Sequence, residues 1–242
     1  MAAPLARAAV VAEHWTTDLS RASFIIPVLN EAAGIERLLG ELRIVFPGAE
    51  LLVVDGGSTD GTVALATPLC DALIHCEPGR ARQMNRGAAV ASGDYYLFLH
   101  ADCFPGIDAR QLQAVLHPGP AWGFCRVRLS GPGWAYAAIS WFMNWRSRLT
   151  RVSTGDQMQF ARADVFARSG GFDDIPLMED VAFSKRLRKL APPTIIQHAV
   201  RSSSRRWRER GVVRTVLTMW ALRLAYFLGV PPAKLWRVYY GG

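Results

Sequence analysis

Four cysteines are present, Cys70, Cys76, Cys103 and Cys125, and no two are spaced as CxxC. A zinc ribbon and a dithiol redox motif are therefore excluded, and reduced, buried thiols are the reading that remains. Glycine-rich phosphate cradles are missing as well. Neither GxGxxG after a strand nor the P-loop pattern ending in Gly-Lys-Ser/Thr occurs, so a nucleotide would have to be held by side chains and a metal. Nor is there the run of about eighteen uncharged apolar residues that a spanning helix needs. The most apolar stretch, residues 212–230, is broken by Arg214 and Arg223. Near the N-terminus the apolar run from Ala8 to Ala12 is too short for a secretory core segment, and residues 1–20 are read as a loose tail of a cytoplasmic protein.

What is there points to a packed domain. Half of the 242 residues are hydrophobic and eight are tryptophan, which excludes global disorder. The net charge of +8 suits anionic partners, whether nucleotide phosphates, nucleic acid or an acidic membrane surface. The dense basic cluster, Arg201 to Arg214, matches no nucleic-acid-binding module, so no nucleic-acid partner is expected.

Short, continuously apolar runs alternate with helical periodicity. Phe24–Leu29, Leu51–Val54, Ala72–Ile74 and Tyr95–Leu99 read as strands; residues 35–46 and 80–91 read as helices. That pattern predicts a doubly wound α/β fold, a mostly parallel sheet with helices on both faces. A strand over Gly123–Leu129 and a helix beginning at Glu179-Asp180 follow, then a basic and apolar helical C-terminal segment.

In such a sheet ligands bind beyond the carboxyl ends of the strands. Asn30 and Glu31 follow the first strand, Asp55 the second, Arg80 the third and Asp102 the fourth. Turn formation explains Gly56, Gly57 and Gly61; it explains Arg80 and Asp102 poorly. Asp102 suits a divalent cation, Mn²⁺ or Mg²⁺, that also takes phosphate oxygens. His100 points the same way on an extended backbone and is equally compatible with ligation, a phosphate contact or plain packing.

Taken together, Ser23-Phe-Ile-Ile-Pro-Val-Leu-Asn-Glu31, Val54-Asp-Gly-Gly-Ser-Thr-Asp-Gly-Thr62 and Leu97-Phe-Leu-His-Ala-Asp102 resemble glycosyltransferase family 2. The likeness continues through Gly155-Asp-Gln157 and Met178-Glu-Asp180. The stretch Gly79-Arg-Ala-Arg-Gln-Met-Asn-Arg-Gly87 is similar to a bacterial subgroup often encoded beside radical-SAM enzymes. The resemblance implies a GT-A fold over residues 21–210 and metal-dependent, inverting transfer from a nucleotide-sugar, a UDP-sugar first, to an acceptor hydroxyl. It implies that Pro27, Asn30, Glu31 and Asp55 surround base and ribose, with Arg80 near the nucleotide, Gln157 in the substrate site and Asp102 on the metal. Asp180 becomes the general base, with Glu179 as the alternative, although carboxylates at a helix start are also ordinary N-terminal charges. Arg205 or Arg206 would contact the diphosphate.

Two departures matter. The family's metal motif is Asp-x-Asp, and its first position here is His100. Its processive members carry Gln-x-x-Arg-Trp; Arg206-Trp207 matches but Ser203 replaces the glutamine, which argues for a non-processive enzyme. A sugar-phosphate nucleotidyltransferase and a catalytically impaired nucleotide-binding protein are the competing readings. Residues 211–242 are read as packed on the domain, on a partner such as a second copy, or on the inner membrane surface.

Overall fold

The structure, a computed structural model, describes Leu19 and residues 21–240. The N-terminal tail, Leu19 apart, and the side chains of Arg206 and Arg210 lie outside the described residues. One sheet contains β1 (Ala22–Val28), β2 (Glu50–Asp55), β3 (Ala72–His75), β4 (Tyr95–Phe98), β5 (Cys103–Phe104), β6 (Trp122–Leu129), β7 (Gln159–Arg162) and β8 (Thr194–Ser202). Their spatial order is β3-β2-β1-β4-β7-β6-β8-β5.

The four strands read from the sequence form the parallel half, with β1 between β2 and β4 and β3 outside β2. Both faces of this half are covered, which is why its strands are continuously apolar. On one face Phe24, Ile26, Val28, Leu51 and Val53 pack on α1 (Ile35–Val45); on the other Ile25, Leu52 and Val54 pack on α3 (Arg80–Ala88). The second face also holds Phe183 and Leu187 of α7 (Glu179–Leu190). Gly87 permits the close approach of α3, because a Cβ there would meet Ile25 and Val54.

The other half is mixed. β7 runs antiparallel between β4 and β6, β8 is parallel to β6, and β5 closes the edge antiparallel to β8. The tryptophan-rich segment is a helix, α5 (Trp134–Thr150). Its inner face is polar: Ser140 Oγ and Asn144 Oδ1 accept the N–H groups of Leu129 and Val127, and Asn144 Nδ2 donates to Val127 O. These bonds complete the length of β6 that β7 leaves unpaired, so the helix shows no apolar inner stripe for periodicity to detect.

At the C-terminus α8 (Arg205–Arg210) leads into α9 (Val212–Phe227) and α10 (Pro232–Tyr240). Leu222, Leu235 and Tyr239 pack with Val152, Met178 and Val181 in a small separate core. The segment therefore rests on the domain. No helix among the described residues is long and apolar enough to cross a membrane.

Candidate active site

The parallel strands end at one edge. Register places Val28 beside Asp55 and Asp55 beside His75, and Gln83 of α3 ties two of these ends together by donating to Val28 O and Val54 O at 2.8 and 2.7 Å. Pro27 stands where β4 has ceased to pair with β1, so its missing N–H breaks no ladder bond there. Asp55 is 2 % exposed and accepts from Gly57 N–H, Ser58 N–H and the His75 ring. Burial opposes its charge, but the Ser58, Gly57 and His75 bonds outweigh it and hold the carboxyl below its ordinary value. Asn30, at φ 55°, accepts Thr59 N–H on its side-chain oxygen. It latches the first loop to the second, since its N–H donates to Ser58 Oγ.

Next to these loops lies a cavity of about 370 Å³, lined at its polar end by Arg80, His100, Asp102, Asp156, Glu179 and Asp180. Ser202, Ser203 and Trp207 close one side. Glu31 links loops and cavity: Arg205 approaches it at 3.9 Å, and its carboxyl is raised by burial, with Arg205 and Arg80 opposing and Asp102 adding to the rise. Arg80 borders the cavity and keeps an exposed surface. The protein around it disfavours its charge, and Glu179, Tyr240, Asp156 and Asp180 more than restore it.

Asp180 is fixed by two amides: Gly155 N–H donates to Oδ2 at 2.8 Å and Val181 N–H to Oδ1 at 2.7 Å. Gly155 has no room for a side chain, because a Cβ would strike the His100 ring. That ring's Nδ1 lies 3.5 Å from Asp156 Oδ1. Asp180, Gly155, His100 and Asp156 thus form one packed constellation at the cavity's polar end.

Residues 100, 103 and 156 form a group that could hold a metal, their ligand atoms all lying within 4.8 Å of one another. The donor chemistry selects among them. Cys103 is completely buried, and burial, then the charges of Asp102 and Asp156, push its thiol far up. It stays protonated and is a poor ligand for a hard cation. Its Sγ is 3.5 Å from Asp102 Oδ1, so Asp102, His100 and Asp156 border the same space.

Among the residues named from sequence, Arg80, His100, Asp102, Glu179, Asp180 and Trp207 share the cavity, and Pro27, Asn30, Glu31, Asp55 and Arg205 stand at the adjoining strand ends. Gln157 does not face the cavity. It is fully buried; its Oε1 accepts from Ser147 Oγ and Thr154 N–H, and its Nε2 donates to Cys125 O. The Arg206 side chain lies outside the described residues. Sequence reading missed Asp156 and Arg146. Asp156 sat inside a quoted motif; Arg146 had no signal, being one arginine in an aromatic helix. Burial pushes Arg146 down to about 10, with Asp180 and Asp156 opposing, so it remains charged at neutral pH. Its Nε has no hydrogen-bond partner among the described residues.

Glu179 is 4 % exposed; burial, then the Asp180 charge, push its carboxyl up to about 7 from 4.5, with Arg80 opposing. A carboxyl raised in the folded state stabilises while protonated, fully so below its unfolded value, and that stability is lost as pH rises towards about 7. Wild-type melting temperature should therefore fall between about pH 4.5 and 7, by the equivalent of at most about 3 kcal/mol. Glu179→Gln should flatten that fall in thermal scans, and an unchanged slope would contradict the assignment.

Comparison with known proteins agrees with this geometry. The family model for glycosyl transferase family 2 matches residues 23–169. An uncharacterized glycosyltransferase of Mycobacterium tuberculosis is 31% identical over 201 residues, 75% of this chain and 74% of that relative. Glucosyl-3-phosphoglycerate synthase from M. tuberculosis, solved with Mn²⁺, UDP and glucosyl-3-phosphoglycerate, superposes with a TM-score of 0.59 at 20% identity, over 90% of this chain and 86% of that one. The mannosyltransferase PcManGT from Pyrobaculum calidifontis, solved with GDP-Man and Mn²⁺, gives 0.57 at 21% identity over 74% of this chain. This chain spans only 55% of that protein's length. The sheet and its helices are of the GT-A type.

Proposed function

The chain belongs to glycosyltransferase family 2, and on that premise we propose that it moves a sugar from a nucleoside-diphosphate donor, a UDP-sugar first, to an acceptor hydroxyl with inversion. The observation that carries this reading is that Asp102 and Asp180 line one cavity with Arg80 and His100, next to the strand-end loops. Under this proposal Asp102 serves the donor and Asp180 the acceptor.

In this reading Pro27, Asn30, Glu31 and Asp55 receive the base and ribose, and Arg80 and Arg205 face the diphosphate as charge-assisted donors. His100, Asp102 and Asp156 would hold Mn²⁺, which supplies charge neutralisation at the leaving diphosphate when bound. Asp180 takes the proton of the acceptor hydroxyl as that oxygen attacks the anomeric carbon. Its two amide donors fix the carboxylate's orientation while its remaining lone pairs stay available. Glu179, raised to about 7, is partly protonated near neutrality, which lessens the repulsion between the two adjacent carboxyl groups. Trp207, Ser202 and Ser203 close over the donor. Ser203 in place of the processive glutamine favours a single transfer per encounter.

Calorimetric titration with UDP, GDP, UTP and GTP tests the donor class. UDP or GDP should bind in a Mn²⁺-dependent manner and more tightly than the triphosphates. A preference for UTP or GTP with turnover of a sugar 1-phosphate would move the protein to the nucleotidyltransferases, and metal-independent binding of all four would contradict the donor site.

A further inference from the structure

Helix α5 is inverted for a surface helix. Its polar residues Ser140 and Asn144 point inward to β6, while Trp134, Trp141, Trp145 and Leu149 stand exposed, Trp134 at 84%. Helix α9 buries only Thr215 and Leu222 and exposes Val213, Leu217, Trp220, Leu224, Phe227 and Leu228. The two apolar faces adjoin. Trp141 stacks on Trp145, Phe142 packs on Trp145, and Phe142 meets Trp220 with ring centroids 5.4 Å apart. On α10, Trp236, Val238 and Tyr240 are exposed too. An uncovered apolar surface of this kind marks an interaction site.

Charge identifies the occupant. Of the cations on α5, α9 and α10, Arg146 and Arg223 line the cavity, whereas Arg148, Arg214, Lys234 and Arg237 are exposed; the three helices carry no aspartate or glutamate. A second copy docked face to face would set these cations against their equivalents, which is repulsive. A mixed-charge protein partner leaves the one-sign pattern unexplained. Tryptophans at a boundary between apolar and wet surroundings, with arginines whose stems lie along apolar surface, fit the headgroup layer of an anionic bilayer. We infer that the α5–α9–α10 face docks on an anionic lipid surface, without crossing it. Trp220 belongs to both regions, since it is exposed on this face and also lines the cavity. Docking therefore holds the cavity beside the membrane. This inference does not depend on which donor the enzyme takes.

Vesicle sedimentation of the full chain tests it, with phosphatidylcholine alone and with phosphatidylglycerol mixed in. Binding should be at least about tenfold stronger to the phosphatidylglycerol vesicles and should weaken with added salt. The triple variant Trp141→Ser/Leu217→Ser/Phe227→Ser changes only exposed side chains, and should lose at least about a hundredfold in partitioning while melting like the wild type. Arg214→Glu/Arg237→Glu should lose the preference for phosphatidylglycerol and keep weak binding to both. Equal binding to the two vesicle types, or none, would overturn the inference. So would a dimer in light scattering that the triple variant dissociates, or vesicle binding that appears only when residues 1–18 are removed.

Discussion

Asp180→Asn should leave nucleotide binding intact and lower turnover by about two to four powers of ten. The substitution keeps size and one of the two acceptor oxygens; turned to Gly155 N–H, that oxygen holds the loop that carries Asp156 in place, while the bond from Val181 N–H within the same helical turn is lost. What it removes is the capacity to take a proton from the attacking hydroxyl. Glu179→Gln should cost less. Consecutive side chains on a helix point about a hundred degrees apart, and Glu179, raised to about 7, is only partly ionised at neutral pH. If Asp180→Asn turned over at close to the wild-type rate while Glu179→Gln did not, the base would have to be reassigned to Glu179.

Asp102→Ala should abolish the Mn²⁺ dependence of nucleotide binding, with a loss of affinity of at least about a hundredfold in the presence of the metal. The magnitude follows because even residues that only orient metal ligands cost ten- to a hundredfold when changed. The fold should survive. Its main-chain oxygen, which accepts Ser203 N–H at 3.0 Å, is untouched by the substitution. The remaining group, His100 and Asp156, is too sparse in charge to hold the diphosphate and the cation together. Calorimetry with UDP, with and without Mn²⁺, reads this directly, and an unchanged metal response would remove Asp102 from the ligand set.

Much of the parallel half of the sheet was legible because its signals are local. A strand buried on both faces must be continuously apolar, so Phe24–Val28 and Leu51–Val54 announce themselves, and the polar residues that end them fall at one edge by topology. Asp102 could be named for that reason, and Asp180, which opens a helix, through the family resemblance. The rest depends on long-range partners. Gln157 stands within a motif but is spent on Ser147, Thr154 and Cys125, contacts that no spacing reveals. Arg146 joins the cavity only because α5 presents its polar side to β6, which reverses the pattern that hydrophobic periodicity looks for. The short, antiparallel β7 pairs with strands distant in sequence. Its four residues carry a strand's signal too weak to separate from a loop.

The central claim is that the cavity between Asp102 and Asp180 transfers a sugar from a nucleoside diphosphate by a single displacement. The most direct measurement is proton NMR of the protein incubated with α-linked UDP- and GDP-sugars and Mn²⁺ without acceptor, following the anomeric signal of the sugar released to water. The expected result is slow, Asp180-dependent release of free nucleoside diphosphate with the β-anomer appearing first. Initial release of the α-anomer, or no nucleoside diphosphate from any donor that binds, would contradict it.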